Sequence, residues 1–462
     1  MKKMAMLLGS FFVAGTLIAQ NLSDRLKEGM AALLKDEQFT YAITGMIVSD
    51  AETGQQIYSW NADAGLAPAS CQKLITSAAS LALLKPEFRY QTRFTLRSEG
   101  GSNFLVLNPS GDPSLGSDRW PATGSAAMLN SLTAALEKRK PVNLSQTLLT
   151  TGADLDFQRI PDGWIWQDIG NYYGAGAGSF NWMENKFDWI LRSGTNPGDP
   201  VEIIRFEPDC DIRSISNLMR TGEKGSGDKA YVYTNPGVKT YAASGTIPPK
   251  QESFKITAAM HRPEDFFISA LNDQLSRGFQ VHKIKSFRFG NRVKVNKEDE
   301  LLMPYSSPSL DSLNYWFMKK SINLYGESFL KTIALQENKP GVTDSGVAVI
   351  RRFWQQNGIP QGAIKIIDGS GLSPANRVTV HALQQVLSFA SKQYWFASFK
   401  NALPVINGIT MKDGYISGVR SYAGYVKQNS GRELIFVFIA NNIDGNPVAA
   451  KEKIWKLLDL LK

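Results

Sequence analysis

Apolar residues recur every three or four positions from Leu22 to Phe39, with Leu26, Met30, Leu33 and Leu34 on one stripe, so the pattern predicts an amphipathic helix. The period then changes to two. Tyr41 to Val48 and Gln56 to Trp60 alternate as strands around the turn Asp50-Ala51-Glu52-Thr53-Gly54. A second helix is predicted from Ser70 to Leu84, apolar nearly all round, as a helix at the centre of a domain is. The chain's end mirrors its beginning. Gly418 to Val426 and Leu434 to Ala440 alternate around Lys427-Gln428-Asn429-Ser430-Gly431, and Ile454, Leu457, Leu458 and Leu461 stripe a terminal helix. A helix and hairpin at one end and a hairpin and helix at the other suit one shared antiparallel sheet.

The middle, about residues 90 to 295, has another texture. Short apolar runs (Phe104 to Leu107, Thr147 to Thr150, Val201 to Phe206, Val293 to Val295) are separated by glycine, proline and polar turns. No fixed-period repeat is visible. The expected fold class is mixed α/β (α+β). One discontinuous domain of residues 20–90 and 296–462 is interrupted by one or more β-rich inserted units at 91–295.

Composition supports a packed globular protein: 43% of the residues are hydrophobic and 20% charged. The first residues form a separate element. Met1-Lys2-Lys3 precedes an apolar run from Met4 to Ile18, with small Ala19 where a signal peptidase cuts, so residues 1–19 are expected to be a removed signal peptide. The run is shorter than the roughly 20 residues a spanning helix needs, and no cysteine follows it for lipidation. No transmembrane anchor is expected after removal, and the mature protein is expected to be exported, in the periplasm or cell envelope. Losing Lys2 and Lys3 takes the net charge from +9 to +7, which suits an anionic envelope. An exported setting permits a disulfide, but Cys71 and Cys210 alone leave pairing open.

Several chemistries are disfavoured. His261, His282 and His381 lie in no HExxH setting and the cysteines in no CxxC pair, so no metal is expected. There is no GxSxG elbow. The glycines of Gly174-Ala175-Gly176-Ala177-Gly178-Ser179 lack a Walker lysine, so they read as a structural turn. No basic stretch interleaved with aromatics points to nucleic acid.

Three short patterns carry chemistry together. Ser70 and Lys73, three apart at a helix start, share a face. A lysine there can deprotonate a serine when burial or a neighbouring cation favours its neutral form. The free N–H groups of the helix start can stabilise an oxyanion. Ser321-Ile322-Asn323 lies between helical patterns at Leu313 to Met318 and Phe329 to Leu335, in what reads as a loop. Lys412-Asp413-Gly414 precedes a strand expected to begin near Tyr415, where a lysine beside a glycine offers a cation to an approaching backbone. Each pattern is common by itself. Their order, Ser-x-x-Lys, Ser-x-Asn, Lys-x-Gly, ahead of a terminal hairpin and helix, is specific.

On these residues the chain resembles the D-alanyl-D-alanine carboxypeptidase/endopeptidases of the class C low-molecular-mass penicillin-binding proteins. The resemblance extends to Gly111-Asp112-Pro113-Ser114-Leu115 and to Gly163-Trp164 with Asp168 and Tyr173-Gly174-Ala175. It also takes in Asp368-Gly369-Ser370-Gly371-Leu372-Ser373 and Asn441-Asn442. It implies a β-lactamase/transpeptidase-like domain and no cofactor. The partners it implies are peptidoglycan stem peptides as substrate and β-lactam antibiotics as inhibitors.

It further implies that Ser70 is the acylated nucleophile and Lys73 its base. Ser321 and Asn323 relay protons and position substrate, and Lys412 holds the substrate carboxylate. The oxyanion hole comes from the backbone N–H groups of Ser70 and Tyr415, and Asp413, Gly414, Asp368 and Ser370 line the substrate site.

Two departures bear on activity. Asp413 stands where the family carries a hydroxyl residue, and the approach from Leu403-Pro404-Val405 to Lys412 is short. Pro374 replaces an arginine found in some relatives, which leaves the preferred stem-peptide residue open. Two other readings use the same fold. One is a catalytically impaired peptidoglycan-binding homologue, motivated by Asp413. The other is a β-lactamase-like hydrolase, disfavoured because Leu313-Asn314 lacks the glutamate of a Glu-x-x-Leu-Asn motif.

Overall fold

The computed structural model describes residues 22–139, 144–150, 155, 158–210, 212, 214–276, 287–290 and 298–462. The expected signal peptide, His282 and the Val293 to Val295 run lie outside the described residues. The chain divides into two compact units. The first comprises Met1–Leu83, Asn314–Ser321 and Val347–Lys462, and the second Leu84–Leu313 and Ile322–Gly346.

The first unit is organised by a six-stranded sheet in the order Val405–Ile406, Ile409–Ile416, Val419–Lys427, Glu433–Asn441, Ile43–Asp50, Gln56–Trp60. Every neighbouring pair is antiparallel. The two ends of the chain do share this sheet, in register from Ile43 opposite Asn441 to Asp50 opposite Leu434. Period-two alternation explains the layers. Phe436 and Phe438 join Leu26, Met30, Leu33, Ile454, Leu457 and Leu458 of the two terminal helical stripes in one core. Residues between them, Ile435, Val437 and Ile439, are equally buried, and the helix Val380–Ser391 packs on this sheet and on the helix Lys73–Leu83. Burying each such side chain contributes about 1.5–3 kcal/mol.

One strand differs from expectation. Lys412-Asp413-Gly414 lies inside the strand Ile409–Ile416, not ahead of it. Aspartate and glycine are poor strand formers. Pairing of Thr410 through Ile416 with Tyr425 through Val419 overrides that preference.

The second unit is β-rich. A five-stranded sheet runs Phe287–Gly290, Leu144–Thr150, Ser102–Asn108, Gln91–Glu99, Glu300–Ser306. A three-stranded sheet (Phe254–Ala259, Lys186–Arg192, Glu202–Glu207) and a four-stranded one (Lys229–Tyr233, Thr240–Ile247, Ser214–Asn217, Arg220–Thr221) complete it. Phe180, Trp182, Phe187, Trp189 and Phe267 centre its core, with edge-to-face ring contacts such as Trp182–Phe267 at 5.2 Å. Helices Ser125–Glu137 and Pro263–Ser276 also contribute to this core. Both carry apolar stripes (Met128, Leu129, Leu132, Leu136; Phe267, Leu271, Leu275) inside a stretch whose turns otherwise read as strands.

Candidate active site

Pro68 to Lys73 does not enter its helix directly. Ala69 has φ +44°, Ala69–Gln72 form a 3₁₀ turn, and the α-helix begins at Lys73. A 3₁₀ turn eclipses residues three apart, which is how Ser70 and Lys73 come to face each other. Lys73 Nζ lies 2.9 Å from Ser70 Oγ and also donates to Ser370 O at 2.6 Å. The Lys73 side chain has no exposed surface, and its Nζ sits 5.9 Å from the Phe317 ring centroid.

This turn is held from several sides. Asn441 Oδ1 accepts from Ala67 N at 2.7 Å and its Nδ2 donates to Ala67 O at 3.1 Å. Ser421 Oγ donates to Pro68 O at 2.5 Å, and Cys71 Sγ to Lys412 O at 3.2 Å. Burial pushes the Cys71 thiol up to about 12, so it remains a packing and hydrogen-bonding group, and Cys71 and Cys210 are not bonded to each other.

Two glycines make the close approach possible. A Cβ on Gly371, at φ +84°, would stand 1.9 Å from Ala69 O. A Cβ on Gly414 would stand 2.8 Å from Ser70 N and 2.9 Å from Pro68 O. The glycine of Lys-x-Gly is thus required by the backbone of the serine turn itself.

Lys412 is buried, and its Nζ donates to Asp413 O at 2.7 Å and to Asp413 Oδ1 at 2.8 Å. Burial tends to raise the Asp413 carboxyl. The charge and hydrogen bond of Lys412 outweigh that, so its pKa is lowered. The Asp413 carboxylate keeps 44% of its surface exposed. The short strand Val405–Ile406 covers only Thr410 and Ile409 of the neighbouring strand. From Lys412 to Ile416 that edge pairs with no further strand among the described residues. Tyr415 is exposed, with Arg420 stacked over its ring at 4.1 Å.

Ser321 takes φ +56° between the helices Leu310–Lys319 and Asn323–Gln336, a left-handed conformation that costs a serine energy. Asn323 is not in a loop, as expected, but is the first residue of its helix. Ile322 is the N-cap, so the break lasts only from Lys320 to Ile322. Asn323 Nδ2 donates to Tyr173 O at 2.7 Å within the second unit.

The loop from Asp368 to Asn376 corrects one expectation. Asp368 is fully buried and does not present its carboxylate to a ligand. Its Oδ1 accepts from Gln72 Nε2 (2.8 Å), Gly371 N (2.9 Å) and Asn376 Nδ2 (2.9 Å), and its Oδ2 from Ser373 N (2.7 Å). A buried carboxylate needs this many donors. Asp368 therefore positions the loop that brings Ser370 O to Lys73. Ser370 is also buried, with Oγ lacking a hydrogen-bond partner among the described residues. Gln72 and Asn376 were not singled out in the sequence. Gln72 lies inside the Ser-x-x-Lys pattern, and a polar residue on an otherwise apolar helix was its one signal.

No helix among the described residues is long and apolar enough to cross a membrane. Comparison with known proteins agrees with the geometry. A family model described as D-Ala-D-Ala carboxypeptidase 3 (S13) matches residues 26–410 and 406–460. A D-alanyl-D-alanine carboxypeptidase of Actinomadura sp. (strain R39) is 25% identical over 461 residues, covering 93% of this chain and 83% of its own. The crystal structure of penicillin binding protein 4 (dacB) from Haemophilus influenzae has a similar fold. Its TM-score is 0.76 at 20% identity, over 93% of this chain and 98% of that one. A structure of the same protein complexed with a novel β-lactam gives a TM-score of 0.70 at 19% identity, with the same coverage.

Proposed function

The chain belongs to the D-Ala-D-Ala carboxypeptidase 3 (S13) family, and from that premise we propose that it is a serine-type D-alanyl-D-alanine carboxypeptidase/endopeptidase acylated on Ser70. The substrate is a peptidoglycan stem peptide or cross-link, met in the exported envelope that the basic mature chain suits. The observation that carries this reading is the 2.9 Å approach of a fully buried Lys73 amine to the Ser70 hydroxyl.

Ser70 Oγ attacks the carbonyl carbon of the penultimate D-alanine while Lys73 Nζ, as the free amine, takes the hydroxyl proton. The backbone N–H groups of Ser70 and Tyr415 stabilise the oxyanion. The C–N bond then breaks, the departing amine takes a proton, and an ester on Ser70 remains. Water cleaves that ester, returning the proton to Ser70 and releasing the shortened peptide. The open edge from Lys412 to Ile416 suits a substrate backbone added as a further strand. Ser321 relays protons, Asn323 orients a substrate carbonyl, and Ser370 lines the site through its carbonyl on Lys73. Residues 91–295 are a β-rich insertion in the transpeptidase-like domain, and the first residues are an export signal.

The pair between Lys412 and Asp413 supports a second reading, in which the protein binds peptidoglycan with impaired turnover. The substrate's terminal carboxylate has to compete with Asp413 for the same cation. Intact-protein mass spectrometry after exposure to benzylpenicillin separates the two readings. We expect a single penicilloyl adduct that is lost in Ser70→Ala. A wild-type protein that gains no mass and leaves muropeptides uncut would reject the peptidase and favour the binding homologue.

A further inference from the structure

The second unit carries an exposed aromatic groove that no step of the peptidase reaction uses. Trp166 is 61% exposed and Tyr172 55%. The Trp166 ring leans on Tyr233, with centroids 4.7 Å apart and planes at 44°. Trp166 and Tyr233 line a groove of about 360 Å³, within the ~300–1,000 Å³ of ordinary ligand sites. The rest of the lining includes Ser214, Ser216, Thr234 and Asn235, and none of its residues is charged.

We propose that this groove binds the glycan strand of peptidoglycan, holding the polymer whose peptides the enzyme cuts; the proposal rests on the peptidase reading above. The chemistry of the lining selects the ligand. A sugar ring presents C–H groups that sit on the negative face of an aromatic ring. Its hydroxyl and acetamido groups both donate and accept, as do serine, threonine and asparagine side chains. A nucleic acid or an acidic polymer needs cations in its groove, and this groove has none. A larger cavity of about 740 Å³ in the same unit contrasts with it. That one is lined by Arg159, Arg262 and Glu264, with the arginines paired to Glu264 and Asp265.

The two sides of the groove are fastened to each other by direct contact and hydrogen bonds. The short helix Trp166–Ile169 rests directly on the strand Lys229–Tyr233, because a Cβ on Gly170 would stand 2.0 Å from Val232 O. Asn171 fastens the two, accepting from Val232 N at 3.1 Å and donating to Gln167 O at 2.7 Å. One ring comes from each element, so their relative placement costs little entropy on binding. The same segment continues to Tyr173, whose carbonyl receives the Asn323 amide. The groove and one of the three reaction motifs are therefore tied by a single short stretch of chain.

The test is calorimetric titration of the intact protein with the tetramer of N-acetylglucosamine, which is no peptidase substrate, beside kinetics on two peptide substrates. Wild type is expected to bind the tetramer. Trp166→Ala and Tyr233→Ala should weaken it roughly tenfold, and Trp166→Phe should restore part of the affinity. Trp166→Ala should lower kcat/KM on a glycan-linked muropeptide roughly tenfold, through KM, and leave a free stem pentapeptide unaffected. A wild-type protein that does not bind the tetramer, or Trp166→Ala binding it as tightly as wild type, would overturn the proposal. If wild type fails on the free pentapeptide, the peptidase reading fails instead, and the tetramer titration still decides the groove.

Discussion

Lys73 in the first unit and Lys331 in the second are both buried lysines, yet their surroundings differ in kind. Lys331 Nζ donates to three backbone carbonyls, those of Leu155 (3.2 Å), Gln158 and Ala177 (2.7 Å). Three acceptors match the three N–H donors of an ammonium. That site ties segments together through their carbonyls. The partners of Lys73 include one carbonyl, Ser370 O, and one hydroxyl, Ser70 Oγ. A hydroxyl can donate as well as accept, so the contact runs in either direction. Burial is common to both lysines, and a hydroxyl at 2.9 Å marks Lys73.

Substitution should separate the two sites sharply. Lys73→Met is expected to slow penicilloylation of Ser70 by about 10²–10⁴-fold while shifting stability by only about 1 kcal/mol. Stopped-flow acylation and urea melts measure both. Lys331→Met should do the reverse, costing about 3 kcal/mol or more because buried carbonyls lose a charged donor. The folded fraction would keep its acylation rate. A Lys331 variant as stable as wild type would remove the contrast.

A smaller effect is expected at the third buried lysine, Lys412. Asp413→Thr removes an anion 2.8 Å from its ammonium. The rate of acylation by penicillin, which carries a carboxylate, should rise about fivefold, the worth of roughly 1 kcal/mol of screened attraction. An unchanged or lower rate would mean that Asp413 does not compete for Lys412.

The mildest test is pH. Burial first, and Arg159 in addition, push His261 down to about 4, against the hydrogen bond of its Nε2 to Ile169 O. The unfolded chain takes up its proton near 6.5 and the folded one only near 4. Stability from this group is therefore full above pH 6.5 and falls as pH drops towards 4. Urea midpoints between pH 7.5 and 4.5 should show this slope, and His261→Gln should flatten it. Equal slopes in the two proteins would assign the acid sensitivity elsewhere.

The sheet that unites the chain's ends was readable because alternation is a local property. Tyr41 to Val48 and Leu434 to Ala440 announce a buried face whatever lies beside them. Ser70, Lys73, Ser321, Asn323 and Lys412 were readable for another reason. Their chemistry is scarce in that order. Less was visible where a residue's part depends on its partner. Asp413 and Gly414 were placed ahead of the strand because their own preferences oppose one, and only pairing with Tyr422 and Ser421 brings them inside it. Asp368 was placed at the substrate site by the resemblance alone. Burial against Gln72 and Asn376 gives it a structural part instead.

Composition, period and motif order thus set the fold class, the shared sheet and the pairing of Ser70 with Lys73, since each depends on residues close in sequence or on their mere presence. The tertiary structure alone decided that Gly414 must be a glycine, that Ser370 O meets Lys73, and that Trp166 meets Tyr233. Those contacts join groups far apart along the chain, and their distances follow from packing, which no local pattern encodes.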